Sequence, residues 1–216
     1  MNKYIREPMN AFTHFIGIVL SIIGLVFLVV KSAQISASAQ TITAVTIFGV
    51  SLILLYTAST VYHSIIAQPP VIAFLRKLDH SMIYVLIAGT YIPFCLISLK
   101  GTIGWVLFAI ITGLALLGVS FKLIWFHSPR WLSTLLYVLM GWIVILYSGS
   151  LAPEIGLQGM FLLILGGILY TVGAVIYWLK PDFLRFRYFG FHEIFHIFIL
   201  LGSISHYLCI YVYVLI

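Results

Sequence analysis

Seven apolar runs divide the chain, roughly Ala11–Val30, Thr41–Ile66, Asp79–Leu99, Thr102–Ile124, Trp131–Ser150, Leu157–Leu179 and His192–Ile216. Each is long enough to cross about 30 Å of hydrocarbon as a helix rising about 1.5 Å per residue. The connections are short, and no hydrophilic stretch is long enough to build a soluble domain. Only 7% of the 216 residues are charged and the mean hydropathy is +1.19, far from the balance of a soluble domain. These runs predict an all-α membrane protein, one seven-helix bundle over residues 1–216, multi-pass in the cell membrane. Whatever it does takes place in or at the bilayer, with membrane lipids as its natural partners and no soluble partner identifiable.

Lysine and arginine set the orientation. Lys3, Arg6, Arg76, Lys77, Lys122, Arg130, Lys180, Arg185 and Arg187 fall on one side of the runs, and Lys31 and Lys100 on the other. That asymmetry predicts a cytoplasmic N-terminus and an outside C-terminus. The net charge of +6 then reads as topology, not as a nucleic-acid surface, because the basic residues stand singly or in pairs. Lys3 and Arg6, the run Phe15–Val30 and the stretch Ala37-Ser38-Ala39-Gln40 imitate a signal peptide and its cleavage site. Glu7, Asn10 and His14 precede that run at helical spacing, so an uncleaved first span is expected. Cys95 and Cys209 lie inside apolar runs and mark neither a disulfide framework nor a metal motif. Gly113 with Gly118, and Gly166, Gly167 and Gly173, suit close helix packing, and Pro93 predicts a kink in the third run.

Chemistry concentrates at one predicted depth. His192 and His196 open the last run four residues apart, so on a helix both imidazoles leave one face and can share an ion. The segment also reads H-E-x-x-H, with Glu193 in the general-base slot of a zinc protease. His63 near the end of the second run and Asp79 at the start of the third fall on the same cytoplasmic side. Ser59 stands one turn before His63 and suits a hydrogen bond to a ligand or carboxylate. Glu7, Asn10 and His14 form a polar stripe approaching the same side. His206, about 21 Å beyond His192 along a helix, is expected near the outer face. His80 and His127 are expected to be structural. His63, His192 and His196 with an open fourth position describe a catalytic zinc site, in which Zn2+ lowers the pKa of a bound water and polarises a carbonyl. A closed structural zinc, with Asp79 as fourth ligand, is the competing arrangement.

At these residues the chain resembles the hemolysin III family, the bacterial branch of the progestin and adipoQ receptor family. The matching elements are Glu7-Pro8-Met9-Asn10-Ala11-Phe12-Thr13-His14, Ser59-Thr60-Val61-Tyr62-His63, Leu78-Asp79-His80-Ser81, Ala88-Gly89-Thr90-Tyr91-Ile92-Pro93-Phe94, and His192 to His196. The resemblance implies a seven-helix bundle of inverted polarity relative to G-protein-coupled receptors. It also implies zinc on residues matching His63, His192 and His196, with Asp79 close to the bound water. Ceramidase-like hydrolysis is proposed for the adiponectin-receptor branch, and bacterial members carry a hemolysin label. Glu193 departs from the adiponectin-receptor pattern, where the residue after the first histidine of the pair is not acidic. The leading expectation is a zinc-dependent hydrolase of a lipid amide or ester. A pore-forming cytolysin and a non-catalytic sensor with structural zinc are the alternatives. Asp79 is expected to serve as the base in preference to Glu193, because a residue next to a ligand is rotated about 100° from it on a helix.

Overall fold

Prolines and small polar residues set where the helices begin. The computed structural model describes residues 4–99, 101–125, 127–184, 186 and 189–216. Helix α1, Pro8–Gln34, starts with Pro8 in its first turn, where a missing N–H does no harm. Helix α2, Ala39–Ser64, is capped by Ser38, whose hydroxyl accepts the Thr41 N–H at 3.2 Å. The small-residue stretch that imitates a cleavage site is thus the end of the connection between the first two helices and the first residues of α2. Helix α3, Pro69–Pro93, again opens on proline. It starts ten residues before the apolar run suggests, so Asp79 lies within α3 and not at its first residue. Pro93 has no N–H to continue the ladder, and the α-helix passes there into a π-helical turn, Phe94–Ser98. Helix α4 covers Thr102–Ile124, α5 Arg130–Trp142, α6 Ser148–Leu179 and α7 Phe191–Cys209.

Among the described residues, six helical stretches are long and apolar enough to cross a membrane: Pro8–Gln34, Ala39–Ser64, Pro69–Ser98, Thr102–Ile124, Arg130–Leu179 and Phe191–Val214. The fifth and sixth apolar runs of the sequence share one of these, a 50-residue stretch made of α5, the 3-10 turns Ile143–Tyr147 and α6. No loop separates them, because the backbone is helical on both sides of a single break. At Gly156, φ is 67° and ψ is 174°, a conformation that only glycine adopts without strain. The stretch doubles back there. Trp142 Nε1 donates to Thr171 Oγ1 at 2.9 Å, whereas on a straight helix those residues would stand roughly 40 Å apart.

Neighbouring helices pack side by side, and α7 closes onto α1. These two run parallel. Thr13 meets His196 near their starts, while Lys31 Nζ donates to the Tyr211 carbonyl at 2.6 Å near their ends. Glycine lets several helices approach. Gly118 lies against the Tyr84 ring, Gly166 against His206, and Gly173 against Phe198. Gly113 departs from the expectation: a Cβ there would meet nothing within 4 Å. Large apolar side chains such as Phe12, Phe27, Leu116 and Leu117 face outward, and polar ones such as His14, Ser59 and Lys122 face inward. That inversion is what hydrocarbon surroundings demand.

Lys3, Lys100, Arg185 and Arg187, part of the basic asymmetry, lie outside the described residues. Gly156→Ala should lower stability by about 1–3 kcal/mol through backbone strain alone, because a Cβ there meets nothing within 4 Å. Gly113→Ala, equally open but helical, should be neutral or stabilising. Thermal unfolding of the two variants in one detergent checks the contrast.

Candidate metal centre

The centre begins with a backbone requirement. The last carbonyls of α2 have no partner within their own helix. Arg6 N–H donates to Ser64 O at 3.3 Å and Glu7 N–H to His63 O at 2.9 Å. This pairing lays the segment before α1 along the end of α2 and brings the Glu7 carboxylate to His63. His63 Nδ1 hydrogen-bonds Glu7 Oε2, and Asn10 Nδ2 reaches the same oxygen at 3.5 Å. Arg6 completes the corner, with its Nε 3.3 Å from Glu7 Oε1 and its guanidinium 4.2 Å above the Tyr62 ring. Glu7 sits just outside α1, and the His63 hydrogen bond holds its carboxyl below the ordinary carboxylate range against the opposing effect of partial burial.

The partners fix the imidazoles. An ionised carboxylate only accepts, so His63 donates from Nδ1, and in the neutral ring Nε2 is then the lone pair. His196 is fixed in the same sense by α1. Thr13 Oγ1 donates to the Asn10 carbonyl at 2.9 Å, so at 3.1 Å from His196 Nδ1 it accepts that ring's proton. His196 Nε2 is therefore the free lone pair. His192 supplies the third nitrogen, its Nε2 3.3 Å from His63 Nε2. One ring nitrogen from each of His63, His192 and His196 lies within 4.8 Å of the other two, so the three can hold a metal ion. A neutral imidazole lone pair aimed inward, with the other nitrogen tied to a carboxylate or hydroxyl, is the donor set a metal ion requires. His63 and His196 are almost completely buried.

The trio opens on a cavity of about 590 Å³, whose wall also carries His14, Ser59 and Asp79. His14 stacks on His196 with ring centroids 3.6 Å apart and stands edge-on to Tyr56. Asp79 interacts electrostatically with His63 and stands beside Ser59. Glu193 is placed differently. Its Oε2 accepts the Gly190 N–H at 2.8 Å, capping the start of its own helix, and it does not line the cavity. Arg185 and Arg187, the other partners its sequence position suggests, lie outside the described residues. His206, ten residues beyond His196, also lines the cavity but is not one of the three clustered nitrogens, and its Nε2 donates to the Leu163 carbonyl at 3.1 Å. His80 lines the cavity and has Tyr177 Oη 3.4 Å from its Nε2.

Sequence reasoning groups Glu7, Asn10 and His14 as a stripe but assigns none of them a partner, and it passes over Thr13. The signal for Thr13 is its place beside His14, in the turn of α1 that passes α7.

Residues 2–207 match the family model described as haemolysin-III related. The chain is 42% identical over 217 residues to "Hemolysin-3" of Bacillus cereus, covering 100% of this chain and 95% of that protein. It is 45% identical over 209 residues to "Hemolysin-3 homolog" of Bacillus subtilis (strain 168), covering 96% and 94% of the two chains. A family match over nearly the full length, with relatives of this identity, establishes that the chain belongs to the haemolysin III family.

Proposed function

We propose that this is a seven-span membrane hydrolase that holds one zinc ion on His63, His192 and His196 near the cytoplasmic face and cleaves a lipid amide or ester. One observation carries the reading. Three buried or half-buried imidazoles bring one ring nitrogen each within 4.8 Å of the other two, in the wall of a cavity of about 590 Å³. A zinc ion there would supply a Lewis acid and a water of lowered pKa. The remaining work falls to the chain. Asp79, facing the same cavity, takes the proton of the attacking water on a carboxylate oxygen. The new C–O bond forms as the C–N or C–O bond of the lipid breaks, and Asp79 returns the proton to the departing amine or alcohol. Ser59 orients the Asp79 carboxylate. Glu7 and Thr13 keep the proton of His63 and His196 on Nδ1. The apolar cavity wall excludes bulk water and holds the acyl chain.

The relatives' name, "Hemolysin-3", favours a second reading, membrane lysis. Release of lipid products that stops with chelator supports the hydrolase. Leakage of dye-loaded liposomes without any hydrolysis supports lysis instead.

Seven spans with an inside N-terminus form part of the proposal. Support comes from the reversal at Gly156 and from the parallel course of α1 and α7, since six alternating spans would set those two helices antiparallel. A reporter that is active only outside the cytoplasm, fused after Ile216, should be active. A C-terminal fusion active only in the cytoplasm would mean an even number of spans.

Metal content separates ligands from bystanders. His63→Ala, His192→Ala and His196→Ala should each lose most of the zinc measured by mass spectrometry, while His206→Ala keeps it. Glu7→Gln and Thr13→Val should retain the fold and weaken zinc binding roughly 10–100-fold. Full occupancy in His63→Ala rules out this ligand set. Binding should also weaken as pH falls through the histidine range, because protonated imidazoles cannot ligate.

The base is distinguished by a pair of variants. Asp79→Asn should keep zinc and lose roughly 10²–10⁴-fold in turnover, and Glu193→Gln should be mild. The reverse ranking with zinc intact transfers the role to Glu193. Zinc loss in Asp79→Asn makes it a fourth ligand and the site structural.

A further inference from the structure

The cavity wall also carries ionisable side chains that the proposed reaction leaves unused. Lys122, in the last turn of α4, is only 4% exposed. Its ammonium donates to Ser133 Oγ and, at 3.4 Å, to Ser128 Oγ, and those hydroxyls stand 3.4 Å from each other. An ammonium has three donors, and these bonds use two of them on groups that carry no charge. The charged neighbour with which Lys122 interacts is Arg76, which has the same sign. Arg130, at the start of α5, is the third cation of the group. Lys122, Arg76 and Arg130 all line the cavity and all interact with His80, with the arginines exposed at the rim and Lys122 buried within.

Among the described residues the carboxylates of that wall are Glu7 and Asp79. Glu7 is held by His63 and Arg6, and Asp79 interacts with His63 and Arg6. A buried lysine solvated by two serines and flanked by like charge is expensive in a membrane protein. An anion seated against it offsets that cost. Two guanidinium groups, an ammonium and two hydroxyls around one space form the donor set of a phosphate.

Tyr177 ties this group to the trio. Its ring centroid is 5.7 Å from that of His192 and 5.7 Å from the Arg130 guanidinium, and its hydroxyl is 3.4 Å from His80 Nε2. One tyrosine therefore spans the gap between the imidazoles and the cations. In an acylated phospholipid only a few bonds separate the headgroup phosphate from the acyl carbonyl. We infer that Lys122, Arg76 and Arg130, with Ser128 and Ser133, bind the phosphate of a lipid headgroup, so that the lipid held in this cavity is an anionic phospholipid whose acyl carbonyl lies towards the histidines. The inference rests on the cavity being the lipid chamber of the proposed hydrolase.

Calorimetric titration of the whole protein in detergent tests it, with dihexanoyl phosphatidic acid, dihexanoylglycerol and inorganic phosphate as probes. Phosphatidic acid should bind about tenfold or more tightly than dihexanoylglycerol, and Lys122→Met should abolish that margin. The same titration on His192→Ala removes direct ligation of phosphate by metal, and the preference should persist there. Should Lys122→Met fail to fold, Arg130→Gln at the exposed rim and Ser133→Ala should each narrow the margin. Equal binding of the two lipids, or an unchanged margin in all three variants, overturns the inference. So does a preference that vanishes in His192→Ala. Inorganic phosphate binding as tightly as phosphatidic acid overturns the lipid headgroup as the source. Zinc content recorded on the same samples shows separately whether the metal reading has failed.

Discussion

Two backbone hydrogen bonds, from Arg6 and Glu7 to the last carbonyls of α2, hold the candidate centre together. Helix α2 must satisfy those carbonyls somewhere, and Pro8 has no N–H to offer. The two residues before the proline supply the donors. In doing so they set the register in which α1 departs, and much follows from it. Glu7 reaches His63, and one to two turns later Thr13 and His14 pass His196. Without that pairing α1 would be one more apolar span. With it, the first helix becomes the support of an imidazole trio to which it contributes no nitrogen.

Hydrocarbon accounts for the rest of the arrangement. It offers no hydrogen-bond partner, so polar side chains turn inward and find one another, while leucines and phenylalanines face out. The interior is consequently both polar and hollow. Glu7 and the histidine trio gather along one part of the cavity wall, and Lys122, Arg76 and Arg130 surround His80 along another. A bundle packed only for stability would bury none of these. Their presence in pairs and networks, and not singly, makes the interior tolerable.

The sequence made legible whatever depends on period and depth. His192 and His196 share a face because the helix repeats, and His63 joins them because its run ends on the same side. Asp79 lines the same cavity as the trio although its helix begins ten residues earlier. What stayed hidden depends on pairing between distant segments. Nothing local says that Glu7 will meet His63 or that Thr13 will meet His196, 183 residues away. For Glu193 the motif gives the spacing but not the rotamer, which turns its carboxylate back to cap Gly190. The fifth and sixth runs were separable in hydropathy, yet the turn between them is a single glycine conformation inside helical backbone.

The trio draws on α2 and α7, and α1 braces it from the far end of the chain. This makes the centre a late event in the life of the molecule. His63 is synthesised 129 residues before His192. At about 5–20 residues per second the ribosome needs roughly 6 to 26 seconds to cover that distance. During that interval α1 and α2 can already pair and Glu7 can already orient its imidazole, yet the other two nitrogens do not exist. A nascent chain halted between His63 and α7 therefore holds one member of the trio with Glu7 beside it, and closure of the last helix brings in the other two.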